Sequence, residues 1–229
     1  MVRLSLANMA LGAAAAVRCL ASGDCVGVDA IGIKCASKEA AHPQDFFYVG
    51  GRYIEGASGN VTVDQLFCVA ATKPIVFFHG GRTTGVTWLN TPDNRPGWAT
   101  YFLQKGHTVY LVDITGIGRS TENNIAAFTM LAGTAAEGVK RGFTNVEAYV
   151  TYPQAILHTQ WPGTGKKGDA AFEHFKKAII PLSTSRIPQG LALRASGCEL
   201  LSVLGEKAYL ISHSIGARAP ILLSNDCPQ

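Results

Sequence analysis

The stretch Ala208-Tyr-Leu-Ile-Ser-His-Ser-Ile-Gly-Ala217 joins an apolar run to a helix-compatible one through a bend of small residues. Ala208 to Ile211 reads as a buried strand, and Ala217 to Ser224 as a helix. Between them stands Ser214, with Ser212 two residues before it and Gly216 two residues after. On so tight a strand-to-helix bend a serine holds its hydroxyl clear of the backbone, and only small side chains fit at both flanks. The first flank is more often glycine; a serine there keeps the steric logic. The plainer alternative is that Ser214 starts the helix as its N-cap, a job serine does well. What separates the two readings lies upstream.

Pro74 is followed by Ile75-Val-Phe-Phe78, a short and wholly apolar strand that runs directly into His79-Gly80-Gly81-Arg82. Glycines at the end of a buried strand leave backbone amides uncovered, and paired amides stabilise a developing oxyanion. Gly81 is the candidate for one such amide and Ile215, just after the serine, for the other. A simple glycine turn is the bland reading. Farther back, Gln44 to Ile54 looks like two β segments around a Gly50-Gly51 hairpin turn, and Asn60 to Val69 is again β-rich. Downstream, Thr83 to Pro96 is turn-rich, and Trp98 to Lys105 is a short amphipathic helix stopped by Gly106. Thr108-Val-Tyr-Leu-Val-Asp113 is a further buried strand, followed by the glycine turn Ile114-Thr-Gly-Ile-Gly-Arg-Ser120. Strand, helix and strand with short links predict parallel pairing through a right-handed crossover. The class is therefore α/β, a mostly parallel sheet with helices on both faces.

Two glycine patterns lead nowhere. Gly116-Ile-Gly118 lacks the third glycine of a dinucleotide fingerprint, because position 121 is threonine. Gly163-Thr-Gly-Lys-Lys-Gly168 fails as a phosphate loop, with Gln160 five residues before Gly165 and Lys167 where Ser or Thr is required. No nucleotide, metal or other cofactor is expected. Residues from about 122 to 188 break the strand–helix rhythm and read as a lid-like insert. Within it Ala170 to Ile180 is helical, with Phe172, Phe175 and Ile179 on one face and Pro181 as its stop. An ordinary surface elaboration is the alternative. Gly190 to Leu204 is a helix leading back to the sheet.

The chain has 229 residues, 47% hydrophobic and 16% charged, with mean hydropathy +0.15 and net charge +4. That balance suits a globular domain. The basic residues are scattered, which gives nucleic acid little to hold. Residues 1–21 place Arg3 ahead of an Ala-rich run and small residues, the pattern of a secretory signal peptide, and too short a run for a membrane span. The expected location is extracellular, with the core at 22–229. Asn60-Val61-Thr62 is a glycosylation acceptor pattern on that route. Six cysteines (19, 25, 35, 68, 198 and 227) show no CxxC spacing, which argues against zinc, and their pairing stays open.

Together these pieces resemble the α/β-hydrolase superfamily. The matching residues are His79-Gly80-Gly81 after the third core strand, Asp113 to Ser120 after the fourth and Ser212 to Gly216 after the fifth. Closer still, Asp45-Phe-Phe-Tyr-Val-Gly-Gly-Arg52, Trp88 to Asp93 with Arg95-Pro-Gly-Trp98, and His158-Thr-Gln-Trp-Pro-Gly-Thr-Gly165 are similar to the esterase-713-like branch. The resemblance runs from about Asp45 to the last residue. It implies hydrolysis of a small-molecule carboxylic ester by a Ser–acid–His triad without cofactor, with Ser214 as nucleophile and Gly81 and Ile215 as oxyanion donors. In that superfamily the acid and the histidine follow the serine. Here 15 residues follow Ser214, with one acid, Asp226, and no histidine; all six histidines (42, 79, 107, 158, 174 and 213) precede it. The expectation is an incomplete α/β-hydrolase fold, a truncated product weak or inactive by itself. A non-catalytic binding remnant of the same fold is the alternative.

Overall fold

In the computed structural model the described residues are 45–56, 59–70, 74–120, 123, 124, 126 and 128–227. The expected leader at 1–21 lies outside them, as do Cys19, Cys25 and Cys35. In chain order the elements are β1 (Asp45–Gly56), β2 (Gly59–Ala70), β3 (Pro74–Phe78), α1 (Trp98–Gln104), β4 (Thr108–Val112) and β5 (Met130–Leu131). Then come α2 (Ala136–Val139), α3 (Ala170–Ala178), β6 (Leu182–Ser183), α4 (Arg186–Leu204), β7 (Tyr209–Ser212) and α5 (Arg218–Asp226). Short 3-10 turns at Gly85–Trp88, Val146–Ala148, Pro153–Leu157 and Ser214–Ala217 fill the links.

The centre is a parallel sheet in the order β4-β3-β7, with Phe78 opposite Val112 on one side and Ser212 on the other. Every side chain of β3 is buried, as a central strand covered on both faces requires. Its alternate residues feed two cores. Val76 and Phe78 join Val112, Leu193, Leu200 and Leu223 beneath α4 and α5. Ile75 and Phe77 join Val109, Leu111, Trp88 and Ala99 beneath α1. The period-2 alternation of an unbroken apolar strand thus fixes helices to both faces. β5 and β6 form a separate antiparallel pair, Leu131 opposite Leu182.

Two expectations fail. The strand at Tyr209–Ser212 is not buried: Tyr209 is exposed and the rest half-buried, because among the described residues β7 pairs only with β3, at the edge of the sheet. Gly50-Gly51 is not a hairpin turn: β1 runs through it and pairs antiparallel with β2, and the chain reverses between Gly56 and Gly59. The glycines are needed for another reason. Gly50 (φ 69°) lies so close to α4 that a Cβ there would sit 2.5 Å from Ser196 Cβ. Gly51 (φ 99°) and Asp64 (φ 66°) both drop out of the ladder between the Gly50–Gln65 and Arg52–Val63 pairs. The hairpin kinks there to lie on the helix. Two helix limits also move: α4 begins before Gly190, with Pro188 in its first turn, where the missing amide costs no helical bond. Likewise α5 carries Pro220 in its first turn.

Candidate active site

Strand β7 delivers the chain to the site. Ser212 pairs with Phe78, and the His213 amide donates to the Phe78 carbonyl at 3.2 Å. Ser214 then takes φ 53°, the left-handed region that a residue with a Cβ enters at a cost of roughly 1–2 kcal/mol. The Gly216 amide donates back to the His213 carbonyl at 2.9 Å, and α5 follows. Ser214 is thus the first residue of a sharp 3-10 turn between a parallel strand and a helix, with its side chain exposed. Small flanks are needed because the turn presses on β3: a Cβ on Gly216 would lie 2.4 Å from the His79 carbonyl oxygen.

The same pressure brings the two glycine-bearing segments together. A Cβ on Gly81 would meet Ile215 Cγ2 at 3.4 Å and Leu182 Cδ1 at 3.0 Å, and one on Gly80 would meet His213 Nδ1 at 2.6 Å. Ser214, Gly81 and Ile215 therefore share one corner of the molecule, where β3 and β7 end side by side.

His79 holds that corner in shape. It is buried; its Nε2 accepts from the Ile114 amide at 3.0 Å, so Nδ1 carries the proton and donates to the Gly80 carbonyl at 2.7 Å. Burial pushes its pKa down, and the bond to Gly80 opposes this only in part. A neutral imidazole with both nitrogens engaged is a clip between the loops after β3 and β4. Beside it Asp113 accepts from the Gly85 amide (2.7 Å), the Arg119 amide (2.9 Å) and Arg119 Nε (2.8 Å). Burial raises the Asp113 pKa, but these donors outweigh it and hold the carboxyl below the usual range. Arg119 in turn lies 4.0 Å from the Phe67 ring, and Ser120 Oγ accepts from the Phe67 amide, which joins the hairpin to the loop. The glycines of Gly116-Ile-Gly118 serve this packing: a Cβ on Gly118 would lie 2.6 Å from Asp113 Oδ2.

Two framing residues carried no signal in the sequence. Gln189 on α4 donates to the Thr115 carbonyl (3.1 Å) and accepts from Arg218 Nη2 (2.7 Å). Arg218 also donates to the Ile215 carbonyl (3.3 Å), closing the serine turn from its far side.

Of the other histidines, His213 lies in the corner against Gly80 and His174 lines the cleft beside it. His158 pairs with Glu147 (2.9 Å) inside the insert, with Asn145 on the other carboxylate oxygen. A hydrogen bond at its own backbone holds Glu147 below the usual carboxylate range, aided by His158 and Asn145. His107 packs on Phe102, and His42 is outside the described residues. Among the described residues no side chain hydrogen-bonds Ser214, and none form a group of three or more metal-ligating side chains. No described helix is long and apolar enough to cross a membrane. Near the corner a cleft of about 330 Å³ opens between the chain after Gly81 and helix α3, lined by Thr83, Trp88, Trp98, Trp161, His174 and Phe175 among others.

With this geometry in view, comparison with known proteins is informative. No protein-family profile matches the chain. Over 171 residues it is 40% identical to phiG, a probable secreted lipase of a fungus (Fungal sp. strain ATCC 74256). That alignment takes in 74% of this chain and 45% of the lipase, so the chain spans less than half of its relative's length. A bacterial esterase solved at atomic resolution, itself an α/β-hydrolase, superposes with TM-score 0.61 at 26% identity. The match covers 85% of this chain and 68% of the esterase. The chain is related to the α/β-hydrolase esterases. Its β4-β3-β7 sheet with helices on both faces is a partial α/β-hydrolase fold, and the corner described above lies at the carboxyl ends of the strands, where open α/β sheets hold their ligands.

Proposed function

We propose that this α/β-hydrolase relative carries the nucleophile and the oxyanion site of a secreted carboxylic-ester hydrolase. Ser214 Oγ attacks the ester carbonyl carbon while its proton passes to a general base, the alcohol leaves, and water then releases the acyl group from the serine. The amides of Gly81 and Ile215 receive the carbonyl oxygen as it becomes negative, which contributes about 3 kcal/mol of barrier lowering per donor in comparable sites. The observation that carries this reading is the left-handed, exposed Ser214 set beside the Gly81 turn. The lipase and esterase names of the two relatives support the reaction class.

No described histidine is bonded to the serine, so in this reading the base and acid come from polypeptide outside the described residues, and the 229-residue chain by itself is weak or inactive. The insert from about 122 to 188 is read as a lid, since α3 forms one wall of the cleft. Secretion is supported by the Cys198–Cys227 disulfide and by the relative's description as secreted. Fluorophosphonate labelling tests the proposal. Mass spectrometry should find the adduct on Ser214 and lose it in Ser214→Ala; an adduct elsewhere, or none even when the chain is completed to the relatives' length, would leave a non-catalytic binding fold.

A further inference from the structure

The cleft beside the Gly81 turn is built of aromatic rings. Trp88 and Trp98 form one wall, with ring centres 5.8 Å apart, and Trp161 and Phe175 form the other at 5.5 Å. These are all three tryptophans of the chain, drawn from a loop, a helix start and the insert. Val86 and Ile179 add aliphatic surface, and among the described residues no Asp, Glu, Lys or Arg lines the space, His174 being its one ionisable side chain. The cleft starts two residues beyond Gly81, at Thr83, whose hydroxyl donates to the Gly80 carbonyl at 3.1 Å. The insert closes on the same strand of chain, with the Ile180 amide donating to the Arg82 carbonyl at 3.0 Å. Whatever occupies the cleft is therefore held next to the corner that Ser214 shares.

We propose that this cleft binds the uncharged arylalkyl arm of an ester whose carbonyl sits at Ser214. The inference rests on the proposed function for the position of the carbonyl, not for the binding itself. An aromatic arm gains stacked and edge-on contacts with the four rings. A charged arm is disfavoured, because it would give up its hydration in a space where His174 is the one ionisable side chain among the described lining residues. A plain short acyl or alkyl chain leaves the two aromatic walls without a partner.

Binding can be read without turnover, since every tryptophan of the chain reports on this one space. Benzylacetone, an unreactive neutral ketone of the same outline, should quench the tryptophan emission saturably. Butanone and the carboxylate hydrocinnamate should bind about tenfold more weakly or less. Ala178 lies on the exposed side of α3 facing the cleft, so Ala178→Arg folds and should weaken benzylacetone by about tenfold. Quenching that is absent, equal for the carboxylate, or unmoved in Ala178→Arg would overturn the proposal. The Ser214→Ala variant should still bind the ketone; ketone binding with no fluorophosphonate adduct on Ser214, even in the chain completed to the relatives' length, would sink the catalytic reading and leave the cleft standing. Where hydrolysis is found, p-nitrophenyl hydrocinnamate over acetate tests the acyl side and phenethyl over ethyl acetate the alcohol side. One of the two preferences should fall in Ala178→Arg; neither falling would overturn the cleft's role.

Discussion

Gly216 and His79 do more for the serine turn than its flanking serine does. The His79 carbonyl occupies the space a Gly216 side chain would need, and neither backbone can yield without moving β3 or α5. Gly216→Ala should therefore lower the unfolding free energy by about 1–3 kcal/mol, the range for forced overpacking, and reduce fluorophosphonate labelling of Ser214. A urea melt and the labelling assay check both. The buried titrating groups set the response to acid. His79 has its pKa lowered by burial, so the unfolded chain binds its proton first. Its contribution is complete above the unfolded value, about pH 6.5, and is lost as pH falls from there through the folded value. Asp113 is also depressed, because its donors overcome the burial penalty; its contribution is lost only as pH falls below about 4. Stability measured against pH should thus decline in two stages. His79→Gln should remove the slope that begins near pH 6.5, and Asp113→Asn the lower one, with a loss of about 1–3 kcal/mol at neutral pH from the buried amide donors left without a carboxylate acceptor.

At the scale of elements, what was legible was what local pattern dictates. The four apolar residues after Pro74 and the five from Thr108 could only be buried strands, and Ser212, Ser214 and Gly216 spelled the bend as a run of small residues, although the carbonyl that demands glycine at 216 belongs to His79. The Gly50-Gly51 pair misled for the opposite reason: its demand for glycine comes from α4, nearly 150 residues on in sequence, and no local signal shows it. Gln189 and Arg218 were equally silent, since Gln189 bonds the Thr115 carbonyl 74 residues away and Arg218 bonds Gln189 and the Arg186 carbonyl on α4. The cysteine pairing was open for the same reason. The structure joins Cys198 on α4 to Cys227 after α5, with Cα atoms 5.5 Å apart across 29 residues, and the Arg194–Asp226 ion pair lies along the same two helices. The disulfide ties the helix behind Ser214 to the helix that covers the sheet. A loop of that length predicts about 3–4 kcal/mol of stabilisation. Cys198→Ser with Cys227→Ser should lower the urea midpoint accordingly, and dithiothreitol should produce the same shift in the parent chain but none in the double variant.

For the whole molecule, the position of β7 is decisive. Among the described residues it pairs with β3 on one side and has no strand on the other, although β7 carries the chain to the serine. Tyr209 on this strand is 72% exposed, and Ile221 on the adjoining α5 is 67% exposed. An open strand edge offers unpaired amides and carbonyls to any other extended segment, and flanking apolar side chains add burial of roughly 25 cal/mol per Å² to such pairing. The purified chain should therefore self-associate through this edge, increasingly so with concentration. A lysine on the edge adds a charge that must be desolvated when a second strand approaches, so Tyr209→Lys should shift sedimentation profiles toward monomer. The substitution touches a side chain already in solvent, so the melting temperature should change little. Equal association in Tyr209→Lys and the parent would place the contact elsewhere, and the exposed Phe46 and Tyr48 face of β1 would be the next surface to change.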